Sequence, residues 1–242
     1  MCIAAFALHA HPDWPLVVIA NRDEYHARAA APLAQWQDGS GIIAGRDLVG
    51  GGTWLGVSES GRLVLVTNYR VPGFPLPARP SRGALVTALL EGADPQTIDL
   101  APYNPFSLLV ADADGQAQLL GNHPEPFRQP LSAGVHGLSN GPFTPPWPKT
   151  QRLCASLQDW LDVERGEIEP LFTALRDERL DESAEAGPEP RLSSVFIRDT
   201  IYGTRCSTVV AVDCAGQGKV IERRFDADGV MVGESVVEFD CS

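Results

Sequence analysis

The first part of the chain alternates short apolar runs with polar turns, and each run has the length of a strand. Residues 2–8 (CIAAFAL) and 16–20 (LVVIA) are apolar throughout, and the segment between them contains Pro12 and Pro15. Apolar runs of this length that are bounded by prolines are typical of buried strands. The pattern predicts a β-hairpin, with Cys2 near the end of an edge or central strand.

Further short apolar runs predict that this strand-rich pattern continues through the first half. A proline-rich loop (71–80) interrupts the strands, and Ser81 is placed to cap a helix that runs to Glu91 and ends at Gly92. The pair Asp114-Gly115 is a strong turn signal. The strands predicted in this half lie at 42–46, 54–58, 62–69, 106–111 and 116–120.

Helical spacing replaces the strand pattern in the middle of the chain. The residues at the i, i+4, i+7 and i+8 positions of one predicted helix are Leu153, Leu157, Trp160 and Leu161. A third helical segment follows at 171–175, and residues 183–190 (SAEAGPEP) predict a surface loop. Strands are then predicted at 194–197, 206–213, 219–225 and 235–239. Strand groups separated by helices indicate an α+β protein with segregated layers.

Composition narrows the classes of partner. The 242 residues fit one domain spanning 1–242, and the net charge of -12 gives a surface that repels phosphate backbones and anionic lipid. We therefore expect no nucleic-acid partner.

No segment reaches the ~20 apolar residues of a membrane helix and no basic leader precedes the first run, so we expect a cytoplasmic protein without an integral membrane segment. The five cysteines form an odd set without a CxxC pair, which suits reduced thiols. The oligomeric state stays open.

The usual phosphate, metal and serine-hydrolase motifs are missing from the sequence. It contains no GxxxxGK[ST], no GxGxxG after a strand, no GxSxG and no HExxH. The run GGGT (50–53) lies between two predicted strands, so we interpret it as a tight connection rather than a phosphate loop. These absences direct attention to the N-terminus.

Cys2 is the residue with the most distinctive chemistry. A methionine before a small residue is normally removable, and its removal would leave a thiol and an α-amine on one residue. The amine titrates near ~7.7–8.0 and an ordinary thiol near ~8.5, so the amine can accept the thiol proton without a histidine. Whether Met1 is removed cannot be read from the sequence.

Several polar residues lie at predicted strand ends, where they could assist such a nucleophile. Asp23 follows the second strand and would return beside Cys2. Asn68 and Asn140 end two other segments, and their amides could donate hydrogen bonds to an oxyanion. Arg205 begins a C-terminal strand and could pair with Asp23 or bind a substrate carboxylate. Each alone also has an ordinary reading as a turn residue or a solvated charge.

Taken together, six motifs resemble the NRDE family, also called the TANGO2 family. They cover nearly the whole chain in the expected order: Met1-Cys2, NRDE (21–24), GGTWLG (51–56), TNYR (67–70), GLSN (137–140) and YGTRCST (202–208). That family in turn resembles the choloylglycine-hydrolase and penicillin-V-acylase branch of N-terminal-nucleophile enzymes. The resemblance implies a four-layer αββα sandwich.

The same resemblance implies roles for individual residues. Cys2 matches the nucleophile and Asp23 the acid near the free amine. The oxyanion positions and the arginine beside the nucleophile match Asn68, Asn140 and Arg205. The acylases carry an arginine ahead of their Asn-x-Asp, whereas this chain has Ala20 at that position. Either no residue of this chain takes the role of that arginine, or Arg22 does.

Two main functional hypotheses follow. The first is a hydrolase that cleaves a non-peptide amide or ester through a thioester and needs no cofactor. Arg22, Tyr69 and Phe74 would then contact a small amphipathic acyl substrate, with the loop 71–80 lining an acyl pocket or merely crossing the surface.

The second hypothesis is a non-catalytic carrier. Members of the family are associated with haem trafficking and lipid homeostasis, so the scaffold could hold haem or lipid as cargo. The first candidates for an axial haem ligand are His11, in a polar turn, and His136, near Asn140. A third possibility is an inactive scaffold that binds proteins.

Overall fold

The computed structural model describes residues 2–113, 115–163, 166–181 and 192–241. The first nine strands are β1 (Cys2–Leu8), β2 (Leu16–Tyr25), β3 (Ala30–Gln35), β4 (Ile42–Asp47), β5 (Leu55–Ser58), β6 (Leu63–Asn68), β7 (Phe106–Ala111), β8 (Ala117–Gly121) and β9 (Phe127–Pro130). The remaining elements are β10 (Gly134–Leu138), β11 (Tyr202–Val212), β12 (Gln217–Phe225), β13 (Met231–Asp240), α1 (Arg82–Leu90), α2 (Pro148–Val163) and α3 (Glu169–Leu175). Within these ranges, no helix has the length and apolar character needed to cross a bilayer.

The strands form two antiparallel sheets. The first sheet has the order β10-β1-β2-β11-β12-β13, and the second has the order β3-β4-β5-β6-β7-β8-β9. In the first sheet β1 lies between β10 and β2, so both edges of β1 are hydrogen-bonded and every residue of its CIAAFAL sequence is buried. This explains why β1 is apolar throughout rather than alternating.

Three apolar clusters arrange the molecule in layers. One cluster fills the space between the sheets and includes Phe6, Leu65 and Leu109. Side chains of β1 that point the other way, such as Ile3, pack against α2 and α3. Leu85 and its neighbours on α1 cover the outer face of the second sheet. The predicted α+β class and the four-layer αββα sandwich are therefore confirmed.

Most predicted elements are present with small changes at their ends. The predicted hairpin is β1 and β2, although β2 continues to Tyr25. Ser81 caps α1 by accepting a hydrogen bond from the Gly83 backbone N–H, as predicted. The GGGT run connects β4 to β5, which confirms its interpretation as a tight connection. The predicted 183–190 loop and the turn residue Asp114 lie outside the described residues.

One predicted strand is wrong and three strands were missed. Residues 194–197 are buried but irregular, because their backbone groups bond to other segments instead of a ladder. For example, the Phe196 N–H donates to the Asp177 carbonyl, and the Ile197 N–H donates to Thr204 Oγ1. The missed strands β3, β9 and β10 are short or half-exposed and lack a continuous apolar run.

Candidate active site

Cys2 begins the central strand β1 at one wall of a cleft. It pairs directly with Arg22 of β2. On the other side, β1 pairs with β10 as far as Ala4 and Leu138, and continuing that register by two residues places Asn140 level with Cys2. The register of the sheet alone therefore brings together three residues that lie far apart in the sequence.

Burial dominates the protonation of the Cys2 thiol. The residue is 9% exposed, and desolvation raises the pKa of its thiol above the ordinary value. The negative charge of Asp23 raises this pKa further, while the Arg22 charge and the Asp23 backbone N–H act in the opposite direction. The thiol consequently needs a base close by before it can react at neutral pH.

Asp23 lies one residue beyond the pair formed by Cys2 and Arg22, beside the start of β1. Its Oδ1 accepts a hydrogen bond of 2.7 Å from Thr204 Oγ1, and its carbonyl accepts one of 2.9 Å from the Tyr202 hydroxyl. Burial raises the pKa of the Asp23 carboxyl, whereas the nearby Lys149 charge and the Thr204 hydrogen bond lower it. The carboxyl is therefore held in a fixed position by β11.

Lys149, on α2, is a buried cation that the sequence did not single out. It is 1% exposed, and its Nζ donates to the Leu192 carbonyl at 2.9 Å. Burial lowers the pKa of this amine, and the Asp23 charge raises it. No motif marked Lys149, because its relation to Asp23 exists only once α2 packs on the first sheet.

Asn21 is the first residue of the NRDE segment, and its buried side chain has a structural role. Its Nδ2 donates to the carbonyls of Leu175 and Val195 at 2.8 and 3.0 Å, and its Oδ1 accepts from Ser207 Oγ at 2.6 Å. Both polar atoms of this side chain are thus used. The Nδ2 joins the first sheet to the segments that pack on it, and the Oδ1 bonds to the neighbouring strand β11. Asn21 fixes the position of the two charged residues that follow it.

The two predicted oxyanion residues are in contact. Asn140 Nδ2 donates to the Asn68 backbone carbonyl at 2.8 Å. Asn140 is completely buried, and its Oδ1 has no hydrogen-bond partner among the described residues. Asn68 lies at the end of β6 and lines the cleft. The amide of Asn140 is therefore partly committed to holding the two strand ends together.

Arg205 is held by backbone carbonyls. It occupies a bulge where the pairing of β11 with β2 shifts between Thr204 and Cys206. Its Nη1 donates to three backbone carbonyls, at 3.0 to 3.1 Å, from Tyr25, His26 and Arg28. Arg205 therefore closes the turn after β2 and lines the cleft, so of its two predicted roles the binding of a substrate carboxylate stays a prediction.

The cleft consists of two adjoining lobes. The first, of about 500 Å³, contains Cys2, and the second, of about 700 Å³, lies beside it. The residues that line both lobes are Glu24, Arg28, Asn68, Pro75, Arg82 and Asn104. Together the lobes have the size of a small-molecule site.

Charged side chains concentrate in the first lobe. It is lined by seven arginines, Arg22, Arg28, Arg46, Arg79, Arg82, Arg205 and Arg224, and by four acidic residues, Asp23, Glu24, Asp47 and Glu222. Of the acidic residues, Asp23 lines the lobe at the end of β2 but its side chain lies on the other face of that strand. Arg22 is 8% exposed, and its Nη2 lies 3.5 Å from Asp47 Oδ2 and 3.8 Å from Glu24 Oε2. Its Nη1 is buried without an acceptor among the described residues. The sequence indicated Arg22 but gave no sign of the other arginines except Arg205.

The predicted substrate-binding residues Tyr69 and Phe74 line the second lobe. The Tyr69 ring packs at 4.9 Å from His123, and Phe74 is 38% exposed on the proline-rich loop. The same loop contributes Leu76 to the first lobe. Loop 71–80 therefore forms a cleft wall with exposed apolar side chains.

The two histidines that were predicted as first candidates for haem lie elsewhere. His11 Nδ1 accepts from the Asp13 N–H in the turn after β1, at the opposite end of the strand from Cys2. His136 bonds to the Ser132 carbonyl and stacks on Phe6 at 5.6 Å. Neither residue lines the two lobes, and haem binding through them stays a prediction.

Comparison with known proteins identifies relatives along nearly the whole chain. Residues 1–227 match the model of the Transport and Golgi organisation 2 family. The chain is 33% identical over 261 aligned residues to the human Transport and Golgi organization protein 2 homolog, covering 92% of each protein. It is 24% identical over 258 residues to the Drosophila melanogaster Transport and Golgi organization protein 2, covering 92% of this chain and 91% of that one.

Two solved structures are similar at low sequence identity. One is the Caenorhabditis elegans ortholog of N-acylethanolamine-hydrolyzing acid amidase, with 10% identity, a TM-score of 0.50, and coverage of 86% of this chain and 92% of that one. The other is a C2A mutant of conjugated bile acid hydrolase from Clostridium perfringens, with 8% identity, a TM-score of 0.54, and coverage of 99% and 92%. At this identity the likeness concerns the fold, which is that of N-terminal-nucleophile hydrolases.

Proposed function

The chain belongs to the Transport and Golgi organisation 2 family, and from this premise we propose that it is an N-terminal-cysteine hydrolase. Its substrate is an amphipathic acyl compound with a non-peptide amide or ester bond. One observation carries the proposal: Cys2 begins a central strand at the cleft wall, between Arg22 and the position level with Asn140. A hydrolase-like scaffold and a thiol at the start of its first strand occur together in this chain.

The reaction begins with removal of Met1, which exposes the α-amine of Cys2. This amine accepts the thiol proton, and the sulfur attacks the substrate carbonyl carbon to form a tetrahedral oxyanion. The carbon–nitrogen or carbon–oxygen bond then breaks, and the leaving group takes the proton from the α-ammonium. Water attacks the resulting thioester, passes a proton to the amine, and releases the acid as the carbon–sulfur bond breaks.

Two groups near the strand ends assist this sequence of steps. Asp23 lies beside the start of β1, where its carboxylate stabilises the ammonium that forms on Cys2. The Asn68 amide and the second N–H of the Asn140 amide are the donors available to the oxyanion, since one Asn140 N–H is already bonded to the Asn68 carbonyl. The apolar wall of loop 71–80, with Phe74 and Leu76, receives the acyl chain.

The decisive experiment is acyl-enzyme trapping with intact-mass analysis. The protein should lack Met1, and a chromogenic acyl amide or ester should add one acyl mass at the Cys2 peptide with a burst of released chromophore. Cys2→Ala also permits methionine removal and should show neither burst nor adduct. The exposed Cys214 provides a matched thiol control, because Cys214→Ala should leave both signals unchanged. Retention of Met1, or equal turnover by Cys2→Ala, contradicts the proposal.

A further inference from the structure

We propose that the cleft selects substrates carrying an oxyanion group, a carboxylate or phosphate, next to the bond that Cys2 cleaves, with Arg22 and Arg82 binding that group. Cleavage by Cys2 rests on the proposed function, whereas the binding preference can be measured without catalysis. It assigns to the arginines of the cleft a role in substrate choice.

The first observation is a reversal of charge. The whole chain has a net charge of -12, yet the lobe that contains Cys2 is lined by seven arginines and four acidic residues. A cleft with an excess of one charge focuses the field and attracts ligands of the opposite sign. In an acidic protein this excess singles out the cleft as the place for an anion.

Backbone carbonyls hold three of these arginines in place. Arg82 Nη1 donates to the Pro105 carbonyl at 3.0 Å, and Arg79 Nη1 donates to the carbonyls of Ala101 and Tyr103. Arg205 is held in the same way by the turn after β2. Within the described ranges, none of the three forms an ion pair. Carbonyls fix these guanidinium groups in place while leaving their charge without a carboxylate partner.

The third observation is the state of Arg22. Its side chain is buried beside Cys2, and its Nη1 lacks an acceptor among the described residues. A buried N–H of a charged group without an acceptor is costly, and a ligand oxygen placed there recovers the lost hydrogen bond. Guanidinium groups bind carboxylate and phosphate oxygens with strong, directional hydrogen bonds. The free donor therefore points to an anionic ligand.

Arg82 lines the same lobe as Cys2 and Arg22. Arg82 is the first residue of α1, and Ser81 and Gly83 line the same lobe. The N-terminus of a helix adds partial positive charge to this wall. Burial lowers the pKa of Arg82, while the charges of Cys2 and Glu24 raise it, consistent with its position near the nucleophile. An anion bound by Arg22 and Arg82 would therefore share this lobe with Cys2.

A different role for Arg22 predicts a different result. If Arg22 only stabilised the oxyanion of the tetrahedral intermediate, the resting protein would bind charged and uncharged acyl compounds alike. Ground-state affinity therefore separates the two roles. The measurement must use a protein that cannot turn the compound over.

The test uses isothermal titration of the Cys2→Ala protein with three decyl compounds. N-decanoylglycine and decyl phosphate carry the anion, and N-decanoylglycinamide is the uncharged match. We expect at least one anion to bind about tenfold or more tightly than the amide. Tighter binding of N-decanoylglycine would identify carboxylate as the preferred group, and tighter binding of decyl phosphate would identify phosphate. In Cys2→Ala/Arg82→Gln, this preference should shrink to about twofold, with a melting temperature close to that of Cys2→Ala.

Arg128 provides the matched control. It is also a half-buried arginine held by carbonyls, those of Pro95 and Ile98, but it does not line the cleft. Cys2→Ala/Arg128→Gln should keep the full anion preference. Equal affinity for all three compounds, absence of binding by both anions, or an unchanged preference after Arg82→Gln overturns the inference. Failure of wild-type hydrolysis with intact anion preference would instead overturn only the proposed function.

Discussion

Cys2 and Arg22 are directly paired across β1 and β2, so their side chains leave the sheet on the same face. Asp23, the next residue, points to the opposite face, toward Lys149 on α2. The side chains of the consecutive residues Arg22 and Asp23 thus lie on opposite faces of one sheet. Cys2, the first residue of its strand, lies beside both of them.

The raised pKa of Cys2 predicts slow alkylation at neutral pH. Because burial disfavours the thiolate, reaction of Cys2 with iodoacetamide in the Met1-retaining protein should be slow at pH 7 and should still be rising above pH 9.0. Peptide mapping after timed quenching measures this rate for each cysteine. The exposed Cys214 serves as an internal control for the reagent. A Cys2 rate that reaches its plateau below pH 9.0 would show that burial does not control the thiol.

Lys149 should set the acid limit of activity. Its charge lowers the pKa of Asp23, so Lys149→Met should raise that pKa further and move the acid limb of kcat/KM to higher pH. Lys149→Arg, which keeps the charge, should move the limb less. Burst titration at each pH gives the fraction of active enzyme and separates this effect from loss of folded protein. If the acid limb of kcat/KM does not move in Lys149→Met, Lys149 does not control the pKa of Asp23.

Asn21 should contribute to stability rather than to chemistry. Asn21→Ala leaves the buried carbonyls of Leu175 and Val195 without their donor, so we expect a loss of about 2–4 kcal/mol in the free energy of unfolding. Urea denaturation followed by circular dichroism measures the loss. Gln37→Ala removes an amide–carbonyl bond on the surface and should cost less than about 0.5 kcal/mol. Similar losses in the two variants would contradict the structural role of Asn21.

Gly52 permits the close approach of α1 to the turn between β4 and β5. A Cβ at this position would lie 2.4 Å from the backbone carbon and oxygen of Gly83. Gly52→Ala should therefore cost about 1–3 kcal/mol and displace Arg82 from the cleft.

Gly51 offers the comparison for this prediction. It has a φ of +78° but no neighbour within 4 Å of a Cβ, so Gly51→Ala should cost about 1 kcal/mol through backbone strain alone. Thermal unfolding and binding of the decyl anions distinguish the two variants. If Gly52→Ala costs no more than Gly51→Ala, the contact with α1 is not tight.

Features with local causes could be predicted from the sequence. The apolar run of β1 and the capping of α1 by Ser81 depend on neighbouring residues, and both predictions are confirmed. The segment 194–197 was misread because a buried apolar run also suits an irregular segment bonded to several neighbours. Its burial was evident in the sequence, but its bonding was not.

The charged groups of the cleft show the limit of sequence reasoning. Arg79 and Arg82 flank a predicted helix cap, yet nothing local indicates that carbonyls of residues 101–105 hold them. The resemblance to a family identified Arg205 and Asp23 as site residues, but it did not identify their partners. Arg205 closes a turn and Asp23 binds Thr204, and both relations depend on how β11 pairs with β2.

The central position of β1 has a practical consequence for handling the protein. Because Cys2 begins β1, pairs with β2 and lines the cleft, a polypeptide attached in front of it would start at the cleft wall. A purification handle fused there would block the amine on which the proposed mechanism depends, and the preparation would look inert. The same handle placed after β13, an edge strand on the far side of the sheet, leaves that amine free.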